Sequence, residues 1–329
     1  MEMEEKVELC FPELLNTSCR KPTLPWSEAV LVNTLLSSFS LITTALNLLV
    51  IISVSHFRQL HTPTNILLLS LAVSDFLVGL LLMPAQIFRK SSCWFLGDLL
   101  CFLYNCFSFI ITSASIGDMV LISVDRYVAI CDPLHYPTRI TVRRVKLSVC
   151  LCWFFSLLYS CVILKDDLKQ PRQYDFCYGK CVPFMDYSSK VVDLVITFIA
   201  PVTVIVVLYM NVFVVAVSHA RAMRSQVTII SHQASVTATR RKSELKAART
   251  LGVLVVVFLI CFCPFYCVSL LGDYLMNVSS ESYVVNMFFL NSCINPVIYS
   301  MFYPWFRKAI RLIITLKILQ PGSCETKML

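Results

Sequence analysis

The chain has 329 residues, of which 57% are hydrophobic and 15% charged, with a formal net charge of +8 and a mean hydropathy of +0.73. Soluble globular chains carry about a quarter charged residues, so this balance excludes an ordinary soluble domain and points to the bilayer. The net positive charge is confined to one side of the predicted spans, so no nucleic-acid partner is expected.

A helix crosses the hydrocarbon layer with roughly 20 mostly apolar residues, and seven stretches meet that requirement. Residues 1–27 come first, a polar segment with Pro12, Pro22 and Pro25 and the sequon Asn16-Thr17-Ser18, which is a glycosylation acceptor if it lies outside. Its acidic opening, Met1–Lys6, is not followed by an apolar run, so no cleavable signal peptide is expected. Span one, Glu28–Ser55, carries Asn47, and span two, Thr64–Phe88, carries Leu71-Ala72-Val73-Ser74-Asp75. Span three, Cys101–Cys131, ends in Asp125-Arg126-Tyr127 and is followed by Asp132-Pro133-Leu134. Span four, Val145–Leu164, carries Trp153, and the loop after it holds Cys177-Tyr178-Gly179-Lys180-Cys181. Span five, Tyr187–His219, carries Asp193, Thr197, Pro201 and Tyr209. A basic linker rich in Ser and Thr, Arg221–Lys246, leads to span six, Ala247–Met276, with Phe258 and Cys261-Phe262-Cys263-Pro264. Span seven, Ser282–Tyr303, ends in Asn295-Pro296-Val297-Ile298-Tyr299. From Trp305 to Ile314 basic and apolar residues alternate as on a helix lying on membrane lipid. The expected fold is an all-α membrane protein, a seven-transmembrane helix bundle over residues 28–303 with a short amphipathic helix and tail over 304–329.

Of 28 Lys and Arg, 18 lie in the loops and tail after spans one, three, five and seven, and 10 lie on the opposite side. The positive-inside rule therefore sets the N-terminus outside and the C-terminus in the cytoplasm. Of 20 Asp and Glu, 13 fall outside, 4 inside and 3 within spans, so the outer mouth is faintly negative. Among the cysteines, those within spans serve as small apolar fillers. Cys10, Cys19, Cys93, Cys177 and Cys181 fall on the oxidising outer side, with Cys101 at the top of span three a sixth.

Seven spans also suit a transporter, a channel or an intramembrane enzyme. Those readings call for paired broken helices or for clusters of His, Asp and Glu. The five histidines, His56, His61, His135, His219 and His232, all sit in or beside inner loops, so no catalytic set is expected. The order of polar residues in the spans resembles instead the rhodopsin-like G-protein-coupled receptors, over essentially the whole chain. More narrowly, the run from Asn291 to Ala309 is similar to the span-seven signature of trace-amine-associated receptors. So are Asp132-Pro133-Leu134-His135-Tyr136-Pro137-Thr138, Gln59-Leu60-His61-Thr62-Pro63-Thr64-Asn65 and the paired cysteines of the second outer loop. The amine-sensing olfactory receptors of fish are the kin suggested.

The resemblance implies a plasma-membrane receptor for a small amine, coupled to a heterotrimeric G protein of stimulatory or olfactory type that raises cyclic AMP. It assigns the inner switch to Asp125, Arg126, Tyr127, Leu134, Tyr209, Glu244, Asn295, Pro296 and Tyr299. Arg126 needs a partner at the inner end of its helix, and Asp125 is adjacent. Glu244 is the family position that closes onto the arginine, unless it pairs with Arg241 or Lys242 on its own helix. Leu134 would be the apolar knob offered to the G protein. No cofactor is implied beyond an allosteric sodium ion held by Asp75, Ser115, Asn291 and Asn295; the alternative is a protonated, hydrogen-bonded Asp75. Asp118 reads as a structural bridge to Ser70 and the indole of Trp153, with a proton sensor as the other reading. The family pattern pairs Cys101 with Cys181, and Cys19, in preference to Cys10, with Cys177.

Amine receptors usually fix the ligand ammonium on an Asp in span three, about 18 residues or roughly 27 Å above the arginine. Here that position is Ser108, and the Tyr that normally steadies the acid is Phe289. Asp193 is the substitute: it lies about 12 Å above Pro201, near the level of Ser108, with Thr197 one turn below on the same face. A charged Asp within a span costs about 2.5–3.5 kcal/mol on insertion scales, and an ammonium would supply the missing charge. The expected site is therefore Asp193, Thr197 and Ser108, with Phe109, Thr112, Phe262, Phe265, Tyr266 and Phe289 receiving the apolar part of the ligand. Two readings compete: Asp193 bonds a neighbour or snorkels outward, or a receptor of this fold takes a non-amine ligand. Glu281 and Asp273 are a place for a second amine. Phe262 stands where the family carries Trp, keeping the bulk of a rotamer switch without the indole N–H.

Overall fold

The computed structural model describes residues 8–14, 17–21, 26–165, 167, 177–183, 185–225, 252–268 and 278–328. Six helices in this set are long and apolar enough to cross a bilayer, and a shorter apolar helix, Gly252–Val268, accompanies them. In chain order they are α1 (Trp26–His56), α2 (Pro63–Ser91), α3 (Gly97–Cys131), α4 (Val142–Ile163), α5 (Tyr187 to Ser225), α6 (Gly252–Val268) and α7 (Val278–Phe302). The amphipathic α8 (Pro304–Ile314) follows, burying Trp305, Phe306 and Ala309 while Arg307, Lys308 and Arg311 stay exposed.

Several helices begin on local signals. The Thr62 side chain accepts from Asn65 N at 3.3 Å with Pro63 in the first turn of α2, and Thr141 accepts from Arg144 N at 3.4 Å to start α4. Asp186 caps α5 through Ser189 N at 3.3 Å and the Ser188 hydroxyl, bonds that hold its carboxyl down at about 2. The helices run a few residues past the expected ends, as α2 does to Ser91, because hydropathy marks only the apolar middle while interfacial residues continue the helix. The ends expected for span six, together with Asn16, Glu244 and Asp273, lie outside the described residues, as does the side chain of Glu281.

α3 packs on α2, α4 and α5, and α1 packs on α2 and α7. The shared core includes Leu67, Leu71, Ile116, Met119, Ile122, Phe258 and Tyr299. Outward-facing Leu147, Phe154, Phe155, Met210 and Phe213 are exposed, as a bundle solvated by hydrocarbon requires. Two helices widen locally: Val78–Leu82 in α2 and Val195–Ile199 in α5 are π turns, each ending two residues before a proline, Pro84 and Pro201. A proline cannot donate to the carbonyl four residues back and its ring crowds it, so widening the turn relieves the conflict.

One end of the bundle, named outer after the orientation expected from charge, is covered by the N-terminal segment, which pairs Leu9 with Arg20 and Ser18 with Tyr178 through isolated bridges. Disulfides join Cys101 to Cys181, Cys19 to Cys177 and Cys10 to Cys93. The third is absent from the sequence reading, where Cys10 stands only as the other choice for Cys177. Gly179, at φ +110°, lies so close to Cys10 that an added Cβ would sit 2.8 Å from its Cβ. At the inner end residues 317–328 fold back on α1 and the first inner loop. Ser323 Oγ lies 2.9 Å from His56 Nε2, Glu325 pairs with Arg58 at 3.6 Å, and Met328 N donates to Gln59 Oε1 at 2.9 Å.

Candidate functional site

α4 and α5 are separated in sequence by the second outer loop, yet the structure brings Tyr159 onto Asp193. The Tyr159 hydroxyl donates to Asp193 Oδ1 at 2.5 Å. Thr197, placed inside the bundle by the π turn and 5% exposed, lies 2.6 Å from the Asp193 carbonyl, 3.5 Å from Oδ1 and 2.7 Å from the Tyr266 hydroxyl. A hydroxyl has one proton. If Thr197 gives it to the carbonyl of Asp193, the Tyr266 hydroxyl donates to Thr197. Among the described residues no Lys, Arg or His pairs with Asp193 and no hydrogen bond reaches its second oxygen. Hydroxyls satisfy an oxygen without neutralising a charge, so an ionised Asp193 carries a charge that no described residue answers.

Below Tyr266 an aromatic column descends towards the inner face. Phe198 stacks on Tyr266 with centroids 4.6 Å apart, and Phe265 meets Tyr266 edge-on at 5.2 Å. Phe288 lies 5.2 Å from Phe265 and 4.4 Å from Phe262, and Phe262 lies 4.3 Å from Phe258. Of the expected pocket residues, Asp193, Thr197 and Tyr266 meet directly, and Phe265 and Phe262 continue from them. Phe289 packs in a separate cluster with Val78, Leu82, Met83 and Ile111. Ser108, Phe109 and Thr112 are half-buried on α3, and no hydrogen bond links Ser108 to Asp193 among the described residues. Tyr159, Phe198 and Phe288 are the pocket residues that sequence reasoning missed. A tyrosine hydroxyl within a span was the available signal for the first.

Deeper in the bundle Asp75, Ser115, Asn291 and Asn295 are all buried, and Asn295 Nδ2 donates to Asp75 Oδ2 at 2.8 Å. The second oxygen of Asp75 and the amide oxygens of Asn291 and Asn295 have no hydrogen-bond partner among the described residues. A group of buried acceptors lacking donors suits a small cation. Beside it, Ser70 donates to Asp118 Oδ2 at 2.7 Å and Trp153 Nε1 donates to Ser70 at 3.0 Å, which ties α2, α3 and α4 together.

At the inner end Arg126 closes onto Asp125, with Nε 2.9 Å and Nη2 2.5 Å from Oδ2. The Thr64 hydroxyl donates to the same oxygen at 2.9 Å and accepts from Arg126, while Tyr136 donates to Oδ1 at 2.8 Å. Burial first, and then the Asp125 charge, push the Tyr136 phenol above its ordinary value, so it remains a donor. Leu134 is 87% exposed on a turn pinned by His135 and Arg139, 2.7 and 3.2 Å from Asp132. The His135 bond holds the Asp132 carboxyl below its usual range. The hydroxyls of Tyr209 and Tyr299 are buried without a partner among the described residues. Pro296 and Asn295 lie in the inner half of α7 and Tyr127 follows Arg126 on α3. Thr64 and Tyr136 belong to the clamp although the spacing of the motifs did not assign them to it.

Polar groups buried along the axis of a bundle of apolar helices, with an arginine clamp at one end, define a membrane receptor rather than a catalyst. The family described as "7 transmembrane receptor (rhodopsin family)" matches residues 46–299. The chain is 39% identical to trace amine-associated receptor 13c of Danio rerio, over 98% of this chain and 96% of that protein. It is 36% identical to trace amine-associated receptor 1 of Mus musculus, over 92% and 95%, and 37% identical to trace amine-associated receptor 9 of Homo sapiens, over 98% and 95%. The chain belongs to the rhodopsin family of seven-transmembrane receptors and, within it, to the trace amine-associated receptors, which makes it a multi-pass plasma-membrane protein and not an enzyme.

Proposed function

We propose that this chain is a receptor for volatile or biogenic amines in which Asp193 holds the ligand ammonium. It faces the N-terminus outward, with Asn16 open to glycosylation, and acts through a stimulatory or olfactory-type G protein to raise cyclic AMP. The observation that carries the reading is the half-buried Asp193 carboxylate, held by the Tyr159 hydroxyl with no cation beside it among the described residues. An ammonium donating to the open oxygen completes its charge, while Tyr266 and Phe265 supply π faces. Thr197 then lies between the charged group and Tyr266 on α6, so ligand binding bears on the helix that carries Phe262. Asp75, Ser115, Asn291 and Asn295 would hold a sodium ion, which supplies a compensating charge in the closed bundle.

The test is a cyclic-AMP assay in transfected cells with an amine panel, comparing the parent with Asp193→Asn and Ser108→Asp at matched surface levels. Loss of one charge-assisted hydrogen bond predicts a fall in amine potency of roughly tenfold to a hundredfold for Asp193→Asn. Unchanged potency in that variant would sink the anchor. The second reading is a receptor of this fold for a non-amine ligand. It is favoured by Ser108, where the usual acid is missing, and by the Tyr159 bond, which satisfies part of Asp193 without a ligand. A parent that responds to no amine but to a neutral compound supports it.

A further inference from the structure

Adjacent cations close the outer end of α2: Arg89 and Lys90. Basic residues at a span end ordinarily snorkel towards headgroups or water. These two turn into the bundle instead. The Arg89 guanidinium lies over the ring of Tyr104 on α3, 5.1 Å from its centroid, and Lys90 Nζ donates to Asn286 Oδ1 on α7 at 3.4 Å. Tyr104 is held in turn by Gln86, its hydroxyl donating to Oε1 at 3.2 Å. Tyr104 is four residues above Ser108 and Asn286 three above Phe289, so both partners stand one turn above pocket residues. The Tyr104 ring also packs on the cluster containing Phe289. Among the described residues no acceptor hydrogen-bonds the Arg89 guanidinium, which leaves its fork of donors for something else.

An arginine fork that no acceptor answers among the described residues is a poor neighbour for a ligand that is only a cation. It suits one that also carries an anion. We propose that Arg89, with Lys90 beside it, forms a second recognition point that binds the carboxylate of a zwitterionic ligand, an ω-amino carboxylic acid, whose ammonium sits on Asp193. This rests on the reading of Asp193 as the ammonium anchor and adds the opposite end of the ligand. α2 and α5 both pack on α3. Two helices packed on one neighbour stand at most two helix spacings apart, about 16–20 Å, and an extended linker of about five to seven carbons fits within what the inward-reaching side chains leave. The planar fork of Arg89 matches a carboxylate, and the Tyr104 ring beneath fixes its plane.

The experiment is a thermal-shift titration of the purified full-length receptor in lipid nanodiscs with hexylamine, ε-aminohexanoate and hexanediamine. The proteins are the parent, Arg89→Gln, Arg89→Gln with Lys90→Gln, and Asp193→Asn, each first checked for its unliganded melting temperature. In the parent, ε-aminohexanoate binds about tenfold more tightly than hexylamine, one charge-assisted hydrogen bond's worth, and hexanediamine binds more weakly than either. The Arg89 and double variants erase the preference for the carboxylate and leave hexylamine affinity unchanged. Equal affinity of ε-aminohexanoate and hexylamine in the parent overturns the proposal. So does an equal shift of both probes in the rim variants, which would make the rim a brace between spans. The span-five anchor fails separately, if Asp193→Asn leaves hexylamine binding unchanged. Failure of all three probes to bind the parent counts against both.

Discussion

The two ends of this bundle are held by different kinds of bond. At the outer end three disulfides join the N-terminal segment, the first outer loop and the second outer loop to the top of α3. At the inner end Arg126, Asp125, Thr64 and Tyr136 are held by hydrogen bonds and one ion pair. A covalent staple keeps its geometry whatever the ligand does. A hydrogen-bonded clamp is worth about 1 kcal/mol per neutral bond and somewhat more per charged one, so it can be opened by the binding energy of a small molecule. On the proposed reading the outer end positions the pocket while the inner end supplies the two states.

Variants that exchange these roles test the contrast. The largest effect is expected from Cys101→Ser, because removing a native disulfide typically costs about 2–5 kcal/mol. Surface labelling of intact cells should then show little receptor, and normal surface levels with intact ligand binding would break the contrast. Next comes Thr64→Val, which strips one donor from Asp125 and one acceptor from Arg126. Basal signalling without ligand should rise about fivefold to tenfold, and an unchanged basal level would mean that the clamp does not hold the closed state. Tyr136→Phe removes one bond and should give a smaller rise in the same assay. Thr197→Val leaves the Asp193–Tyr159 bond in place but cuts the link to Tyr266. Amine affinity should stay within about threefold while the maximal response in the cyclic-AMP assay falls, because a ligand shifts the equilibrium only through contacts that differ between the states and this link is the one that reaches α6. The smallest effect concerns the cap on α5. Asp186 is held at about 2, below the ordinary carboxylate value, so its contribution is present above that ordinary value and fades only as pH falls towards 2. The difference in melting temperature between the parent and Asp186→Ala should therefore be constant from about pH 5 to 8.

The fold was legible because the solvent that surrounds each helix writes itself into composition. Hydrocarbon demands some twenty apolar residues in a row, and the polar exceptions, Asp75, Asp118, Asp193 and Arg126, then identify themselves by their cost. That Ser108 stands where the family carries its acid, and that span five holds an acid of its own in Asp193, was readable by counting along helices. What could not be read was which neighbour answers each polar group. Tyr159 reaches Asp193 across two helices, and Thr64 and Tyr136 reach Asp125 from α2 and an inner loop; these are tertiary facts with no local pattern. Cys10 and Cys93 were both visible on the outer side as members of an even set of six, but pairing depends on where the backbone folds over, here onto Gly179. The tail that returns to His56, Arg58 and Gln59 has no periodic signature either, because its contacts are made by single residues in irregular chain.

The wide turn at Val195–Ile199 has a consequence for anyone transplanting residues between receptors. Counting back from Pro201 assumes a uniform pitch of 100° per residue, and one extra residue in a turn offsets everything above it by about that angle. A carboxylate grafted at the same count into a span five without the bulge would point at a neighbouring helix or at lipid. Deleting one residue between Val195 and Ile199 of this chain should swing Asp193 away from Tyr159 while leaving the inner half of the helix in register. Alignment by residue count and alignment by direction are then different operations in span five, and only the second preserves the Asp193–Tyr159 pair.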